Sequence, residues 1–285
     1  MWEVDIGNQP RKHEQNQPPQ IAHINNVLAD ATKPELAKYY HAACFSPVKS
    51  TWVKAIKKGS FKSWPGLTEE LVNKHLPESM NTTLGHMNQT RQGLRSTKRK
   101  ISDENNTPDT DTNSRTNLVF FAIIDPEDPT GNIFTDLCGR FPILSAQGHR
   151  YIFVLYDYDS NAILTRAMKN RSDSEMVRVF TELSDYLTQR GFKPQYQVLD
   201  NEASKALKRA ITSQNIKYQL APPGNHRTNN AERAIQTFKN HFVAGLCSVD
   251  ASFPLQQWDR MLEHATIMLN LLRQSRLHPQ LSPRR

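Results

Sequence analysis

Three acidic residues, Asp136, Asp200 and Glu232, have the types and the spacing needed for chemistry on phosphate esters. They lie far apart in the chain, so only the fold can bring them together. Carboxylates that meet at one place repel one another unless divalent cations neutralise them. Mg²⁺ (or Mn²⁺) binds a few carboxylates, its own waters and substrate phosphates, and two such ions support an in-line displacement. These three acids are therefore the candidate catalytic and metal-binding residues.

Each acid also has a purely structural interpretation. Glu232 follows a loop and lies in the first turn of a helix pattern, where a carboxylate gains from the helix dipole. Asp136 could be a strand-edge acid beside Gly139, and Asp200 could cap the helix that follows it. Glu202 is a local rival as a metal ligand, although we expect its side chain to point into solvent.

The elements that must position these acids follow the order three strands, helix, strand, helix, strand, helix, helix. Three consecutive strands favour antiparallel pairing, and the later alternation favours parallel crossovers. This order predicts an α/β fold with a mixed five-stranded, ribonuclease-H-like sheet flanked by helices. The predicted strands are 132–138, 150–156, 161–167, 196–199 and 216–220, and the predicted helices start at Ser172 or Asp173 and span 203–213, about 230–242 and 255–272.

Basic residues surround the last two acids. Residues 203–241 contain seven Lys or Arg and one acid, whereas residues 117–136 contain four acids and no Lys or Arg. Such a distribution suits a site where acids hold metal and bases hold a nucleic-acid backbone. Lys239 lies two turns after Glu232 on the same helix face, with a solvated lysine as the alternative. The candidate nucleic-acid contacts are Lys239, Arg227, Arg233, Asn201 and Asn229, and we expect His241 in the same basic cluster.

Composition limits the class of protein. The 285 residues carry a net charge of +8, which favours polyanionic partners. No apolar run reaches the roughly 20 residues that span a bilayer, so we expect no membrane partner. Three widely spaced cysteines indicate a reducing compartment without a disulfide framework. His41, Cys44, His75 and His86 are the alternative metal ligands, but they lack the tight pairs of a zinc site, and we expect ordinary polar histidines.

The remaining chain predicts a division into segments. Residues 1–25 and 87–117 have the polar composition of disordered chain, and residues 26–86 predict a small helical segment. The core-like domain spans 118–275, and 276–285 is a tail. The basic run at 97–100 has the composition of a nuclear import signal, although short basic runs are also common in other proteins. We expect a nuclear location.

Residues 131–272 resemble the catalytic core of the integrases of retroviruses and LTR retrotransposons. Four segments carry the resemblance in the family's order, namely 134–141 (FTDLCGRF), 151–157 (YIFVLYD), 198–202 (VLDNE) and 229–233 (NNAER). The gap from Asp200 to Glu232 is shorter than is usual in the family, and Asn230 stands where the family usually has Gly.

The resemblance implies that Asp136, Asp200 and Glu232 are the metal-binding triad of a DNA strand transferase that forms homo-oligomers. It also implies one piece of a polyprotein, whose substrate is DNA rather than a small molecule. Two other functions stay open. One is a ribonuclease H that cleaves RNA in hybrids, and the other is a catalytically inactive nucleic-acid-binding remnant.

Overall fold

The computed structural model describes residues 31–87, 130–199, 203–220 and 230–283. The N-terminal range holds four helices and the later ranges hold the sheet with its helices. In chain order the elements are α1 (Lys33–Ala43), α2 (Lys49–Lys57), α3 (Glu69–His75), α4 (Met80–His86), β1 (Asn132–Arg140), β2 (Tyr151–Asp157), β3 (Ala162–Met168), α5 (Asp173–Gln189), β4 (Tyr196–Leu199), α6 (Lys205–Ser213), β5 (Lys217–Leu220), α7 (Asn230–Ser248), a 3-10 helix (Leu255–Met261) and α8 (Leu262–Leu272).

The five strands form one sheet in the order β3-β2-β1-β4-β5. β1, β2 and β3 pair antiparallel, whereas β4 pairs parallel to β1 and β5 parallel to β4. Two-residue turns can join antiparallel strands, but parallel strands need helical crossovers, which α5 and α6 fit by position. The mixed five-stranded ribonuclease-H-like fold predicted from the element order is confirmed.

Side chains of the sheet alternate between two apolar clusters, one on each face. On one face Ile133 of β1 packs with Phe180 of α5 and Ile211 of α6. On the other face Phe134 of β1 packs with Phe238 of α7 and Leu269 of α8. β2 is buried along nearly its whole length because both faces of this central strand are covered.

The helices begin where short polar side chains can cap them. Ser172 accepts a hydrogen bond from the Glu175 backbone N–H at the start of α5, and Ser204 does the same for Leu207 in α6. Each bond satisfies one of the backbone donors left open in a first helical turn. Gly191, at φ +83°, follows the end of α5 in the left-handed conformation that glycine adopts without steric cost.

Three of the four N-terminal helices, α1, α2 and α3, contribute to the apolar cluster of the α7 face. Trp52 of α2 and Val72 of α3 are fully buried and belong to the same cluster as Phe242 of α7. Within the ranges described, no helix is long and apolar enough to cross a membrane. Residues 31–87 are thus built onto one face of the sheet domain.

Several predicted bounds need correction. The helix predicted over 255–272 is a 3-10 helix up to Met261 and an α-helix from Leu262. Tighter 3-10 turns are frequent at the ends of α-helices. The helix predicted from residue 203 starts at Lys205 because Ser204 is its cap, and β1 runs further than predicted, to Arg140.

Candidate functional site

Asp136 lies within β1, the middle strand of the sheet, and is partly exposed. Phe134 and Cys138 flank it at the spacing of two residues and pack with the cluster on the α7 face. Because side chains two apart in a strand share one face, Asp136 belongs to that face. Its Oδ1 accepts a 2.6 Å hydrogen bond from the Leu137 backbone N–H.

A cleft of about 230 Å³ opens beside Asp136. Leu199 of β4 lines the cleft on the side next to β1. The starts of α5 and α6 form its other sides. Such crevices at the carboxyl ends of strands are where open α/β sheets bind ligands. The polar and charged residues that line the cleft are Thr135, Asp136, Arg171, Asp173 and Ser204.

α7 carries three further predicted site residues. Glu232 lies in its first turn and is partly exposed, as the sequence predicts for a carboxylate near a helix N-terminus. Lys239 is exposed two turns later, and its charge reaches the thiol of Cys138 in β1, as does the charge of Asp136. Burial raises the pKa of Cys138 to about 12, against the opposing effect of Lys239. Lys239 belongs to the helix that covers the face of β1 to which Asp136 is assigned, and Arg233 is exposed near the start of α7.

His241 was expected among these cations, and that expectation is wrong. The side chain is buried under the N-terminal helices, with its ring stacked on Phe45 at a centroid distance of 5.3 Å. Burial lowers the pKa of His241 to about 3, with smaller contributions from His86 and His264. The imidazole is neutral at pH 7 and supplies no positive charge to the site.

The other predicted site residues lie outside the described ranges. They are Asp200, Asn201, Arg227 and Asn229, together with the rival acid Glu202. Among the residues that are described, no three His, Cys, Asp or Glu side chains form a potential metal-binding group. Since Asp200 is not among them, the predicted triad and the predicted contacts stay predictions.

Two aspartates of the β2–β3 hairpin have the structural role expected of turn residues. Asp157 is buried and accepts hydrogen bonds from the backbone N–H and the hydroxyl of Ser160. Asp159 accepts a hydrogen bond from the Gly131 N–H. Desolvation raises the pKa of Asp157, while the bonds from Ser160 oppose that rise.

The alternative ligands in the N-terminal helices bond to the backbone instead. The Nε2 atom of His41 lies 2.8 Å from the Pro47 carbonyl oxygen, and His86 Nδ1 lies 2.9 Å from the Thr82 carbonyl oxygen. Cys44 is buried, which raises the pKa of its thiol. A buried neutral thiol packs as a small apolar group.

Strand order, strand direction and a cleft beside an acidic strand residue define a ribonuclease-H-like α/β domain. No family model and no curated protein matches the chain. Among solved structures, the chain is similar to the catalytic core domain of bovine immunodeficiency virus (BIV) integrase, with 14% identity over 50% of this chain and 84% of that one, at a TM-score of 0.38. It is also similar to a chain of the simian T-cell lymphotropic virus intasome in complex with a PP2A regulatory subunit, B56 gamma, with 20% identity over 54% of this chain and a TM-score of 0.43.

The chain spans about half the length of that intasome chain, 55%. The fold assignment stands on the strand order and direction given above.

Proposed function

We propose that this chain is an integrase-type polynucleotidyl transferase that cuts and joins DNA ends with divalent metal. The observation that carries the proposal is the parallel register of β1 and β4, which pairs Phe134 with Val198. Asp136 lies two residues after Phe134, and Asp200 lies two residues after Val198. Continued in the same register, the two strands would pair position 200 with Asp136. We therefore expect Asp200 opposite Asp136, just beyond the end of β4.

Side-chain alternation supports the same arrangement. Val198 packs with the cluster on the α7 face, whereas Leu199 packs with the opposite cluster. Continued by one residue, this alternation makes us expect the Asp200 carboxylate on the α7 face, which is the face of Asp136. Glu232 lies in the first turn of the helix that packs on that face. In this proposal the three acids would meet at one corner of the sheet.

The donor set suits the metal that the proposal requires. Carboxylate oxygens are the hard ligands that Mg²⁺ and Mn²⁺ take, and the partial exposure of Asp136 leaves room for their waters. Asp136, Asp200 and Glu232 would hold the ions. When bound, such ions supply an activated water or hydroxyl and stabilise the leaving oxygen. Lys239, exposed on the same side, would hold the negatively charged backbone of the DNA.

A strand-transfer assay tests the proposal. The purified chain is incubated with Mg²⁺ or Mn²⁺ and a labelled duplex DNA end, beside Asp200→Asn and Glu232→Gln. The matched control is Glu263→Gln, because Glu263 is also a glutamate in the first turn of a helix, α8, and is exposed. We expect both site variants to lose at least about 100-fold in joining, since metal-held charge stabilisation is worth several kcal/mol. The control keeps the wild-type rate.

Other outcomes would replace the proposal. Cleavage of the RNA strand in a hybrid without joining would favour a ribonuclease H. Salt-sensitive DNA binding without products, unchanged in both site variants, would favour a non-catalytic binding protein. The nuclear location and the homo-oligomeric state remain predictions, which fluorescence microscopy of the tagged chain and light scattering test directly.

A further inference from the structure

The described residues that line the cleft beside Asp136 include a positively charged side chain, Arg171, that the sequence analysis does not single out. Arg171 follows the end of β3 and directly precedes Ser172, the cap of α5. It is exposed, and its guanidinium lies 5.8 Å from the ring centroid of Tyr151, the first residue of β2. A cation over an aromatic face is held by the charge distribution of the ring while its N–H groups stay accessible.

The backbone on either side of Arg171 is fixed by a chain of local hydrogen bonds. The Lys169 N–H donates to Glu175 Oε1 at 3.3 Å, and the Ser172 N–H donates to Asn170 Oδ1 at 2.9 Å. Ser172 Oγ in turn accepts from the Glu175 N–H. Asn and Ser side chains bond to nearby backbone groups in this way at helix starts. The loop that carries Arg171 into the cleft is thus tied to the first turn of α5.

The neighbouring arginines differ from Arg171 in having acidic partners. Arg166 and Arg178 both form salt bridges with Glu182, and Arg178 also pairs with Glu175. Among the salt bridges formed between described residues, none involves Arg171. A guanidinium offers a rigid fork of donors that matches the oxygens of a phosphate. Its counter-ion is expected to come from a ligand that enters the cleft.

We infer that Arg171 binds one backbone phosphate of the DNA that lies against Asp136. This inference rests on the proposed function, because it assigns part of the substrate to the same cleft. Asp136 and Arg171 both line this cleft, whose apolar residues belong to the cluster on the face opposite α7. The acids would hold metal on the α7 side of Asp136, and Arg171 would hold a phosphodiester group that the metal does not contact. The residue would orient the strand and take no part in proton transfer.

The salt dependence of DNA binding tests this assignment, and the measurement does not require the protein to cut or join DNA. The affinity of the full chain for a fluorescent DNA duplex is measured by anisotropy between about 50 and about 300 mM KCl, roughly the range over which such contacts weaken. Arg171→Gln removes the charge, and Arg190→Gln is the matched control. Arg190 also lies over a tyrosine ring, 4.1 Å from the Tyr186 centroid, but at the far end of α5.

The affinity for DNA falls as salt rises, so the slope of log affinity against log salt is negative. We expect Arg171→Gln to make this slope less steep by about 1, the effect of one lost phosphate contact. Arg190→Gln is expected to keep the wild-type slope, and Arg171→Lys to keep the slope while weakening binding, because lysine keeps the charge but not the fork. A wild-type slope in Arg171→Gln, or the same reduction in Arg190→Gln, overturns the assignment. If the assignment of Arg171 is overturned in this way but the wild type still joins DNA ends, the proposed function stands. If the wild type neither binds DNA nor joins DNA ends, both the proposed function and the assignment of Arg171 fail.

Discussion

His241 and Glu232 lie nine residues apart on α7, which is two and a half turns, so their side chains leave the helix on opposite sides. Glu232 is partly exposed, whereas His241 is buried beneath the N-terminal helices. Burial in an apolar environment disfavours the charged form of histidine. The same helix therefore presents an acid to one side and a neutral imidazole to the other.

The lowered pKa of His241 makes stability depend on pH. The unfolded chain takes up a proton near pH 6.5, whereas the native side chain resists protonation until about pH 3. The unfolded state thus binds more protons between these values, so stability falls as pH falls through this window. From pH 7 to pH 5 the contribution of His241 to this loss is about 2 kcal/mol.

We expect His241→Phe to reduce the loss of unfolding free energy from pH 7 to pH 5 by about that amount. Urea denaturation at the two pH values measures it. The control is His278→Gln, an exposed histidine, which is expected to keep the wild-type pH dependence. Equal losses in His241→Phe and wild type would contradict the buried neutral state.

Among the elements, β3 lies at one edge of the sheet, beyond β2. Unpaired N–H and C=O groups of an edge strand invite pairing with other chains. α8 covers this edge with a side chain. Asn270 Oδ1 accepts from the Ile163 N–H at 3.0 Å, and Asn270 Nδ2 donates to the Ile163 carbonyl at 2.8 Å. The amide thus replaces one missing strand partner.

Asn270→Leu is expected to destabilise the fold by about 2–4 kcal/mol, because it leaves a buried donor and a buried acceptor unpaired while it keeps the volume. Chemical denaturation measures the change in unfolding free energy. Asn73→Leu, on the exposed side of α3, is the control and is expected to change stability by less than about 0.5 kcal/mol. A loss of the same size in both variants would refute the edge-pairing role.

At the scale of the whole molecule, the N-terminal helices and the sheet domain meet through close helix packing. An added Cβ at Gly85 of α4 would lie 2.6 Å from the Ala244 nitrogen and 2.6 Å from the Asn240 carbonyl oxygen of α7. Phe45, which has a positive φ of 64°, packs directly against Gly245. Gly85 and Gly245 thus let the N-terminal helices and the sheet domain approach closely. We therefore expect the N-terminal helices and the sheet domain to unfold together.

Gly85→Ala is expected to destabilise the protein by about 1–3 kcal/mol, the usual cost of overpacking. This loss would occur although alanine favours helix over glycine by about 1 kcal/mol. Thermal unfolding is followed by tryptophan fluorescence in two backgrounds. Both backgrounds carry Trp2→Phe. One adds Trp52→Phe and Trp64→Phe and reports on the sheet domain, and the other adds Trp258→Phe and reports on the N-terminal helices. A stabilised variant, or an unchanged one, would show that the helices do not pack this closely.

The control for this comparison is Thr83→Ala, on the exposed side of α4. We expect it to change stability by less than about 0.5 kcal/mol. Both fluorescence backgrounds should show the same midpoint if the shared apolar cluster makes one cooperative unit.

The sequence by itself determined the type and order of the elements around the candidate site. The short apolar runs of β1 and β2, the caps of α5 and α6 and the apolar stripe of α7 are local signals, because each depends on residues only a few positions apart. The sequence also gives the spacing of Asp136 from Asp200. Only the structure shows that this spacing matches the register in which β1 and β4 pair.

Only the tertiary structure decided which faces those elements share. No local pattern says that residues 31–87 cover α7, and so the burial of His241 and the packing at Gly85 could not be read from the chain. Arg171 likewise becomes a candidate only when β1 and the start of α5 line one cleft. The physical reason is that helix and strand periodicity fix which residues share a face, whereas the partner of that face depends on chain segments far away in sequence.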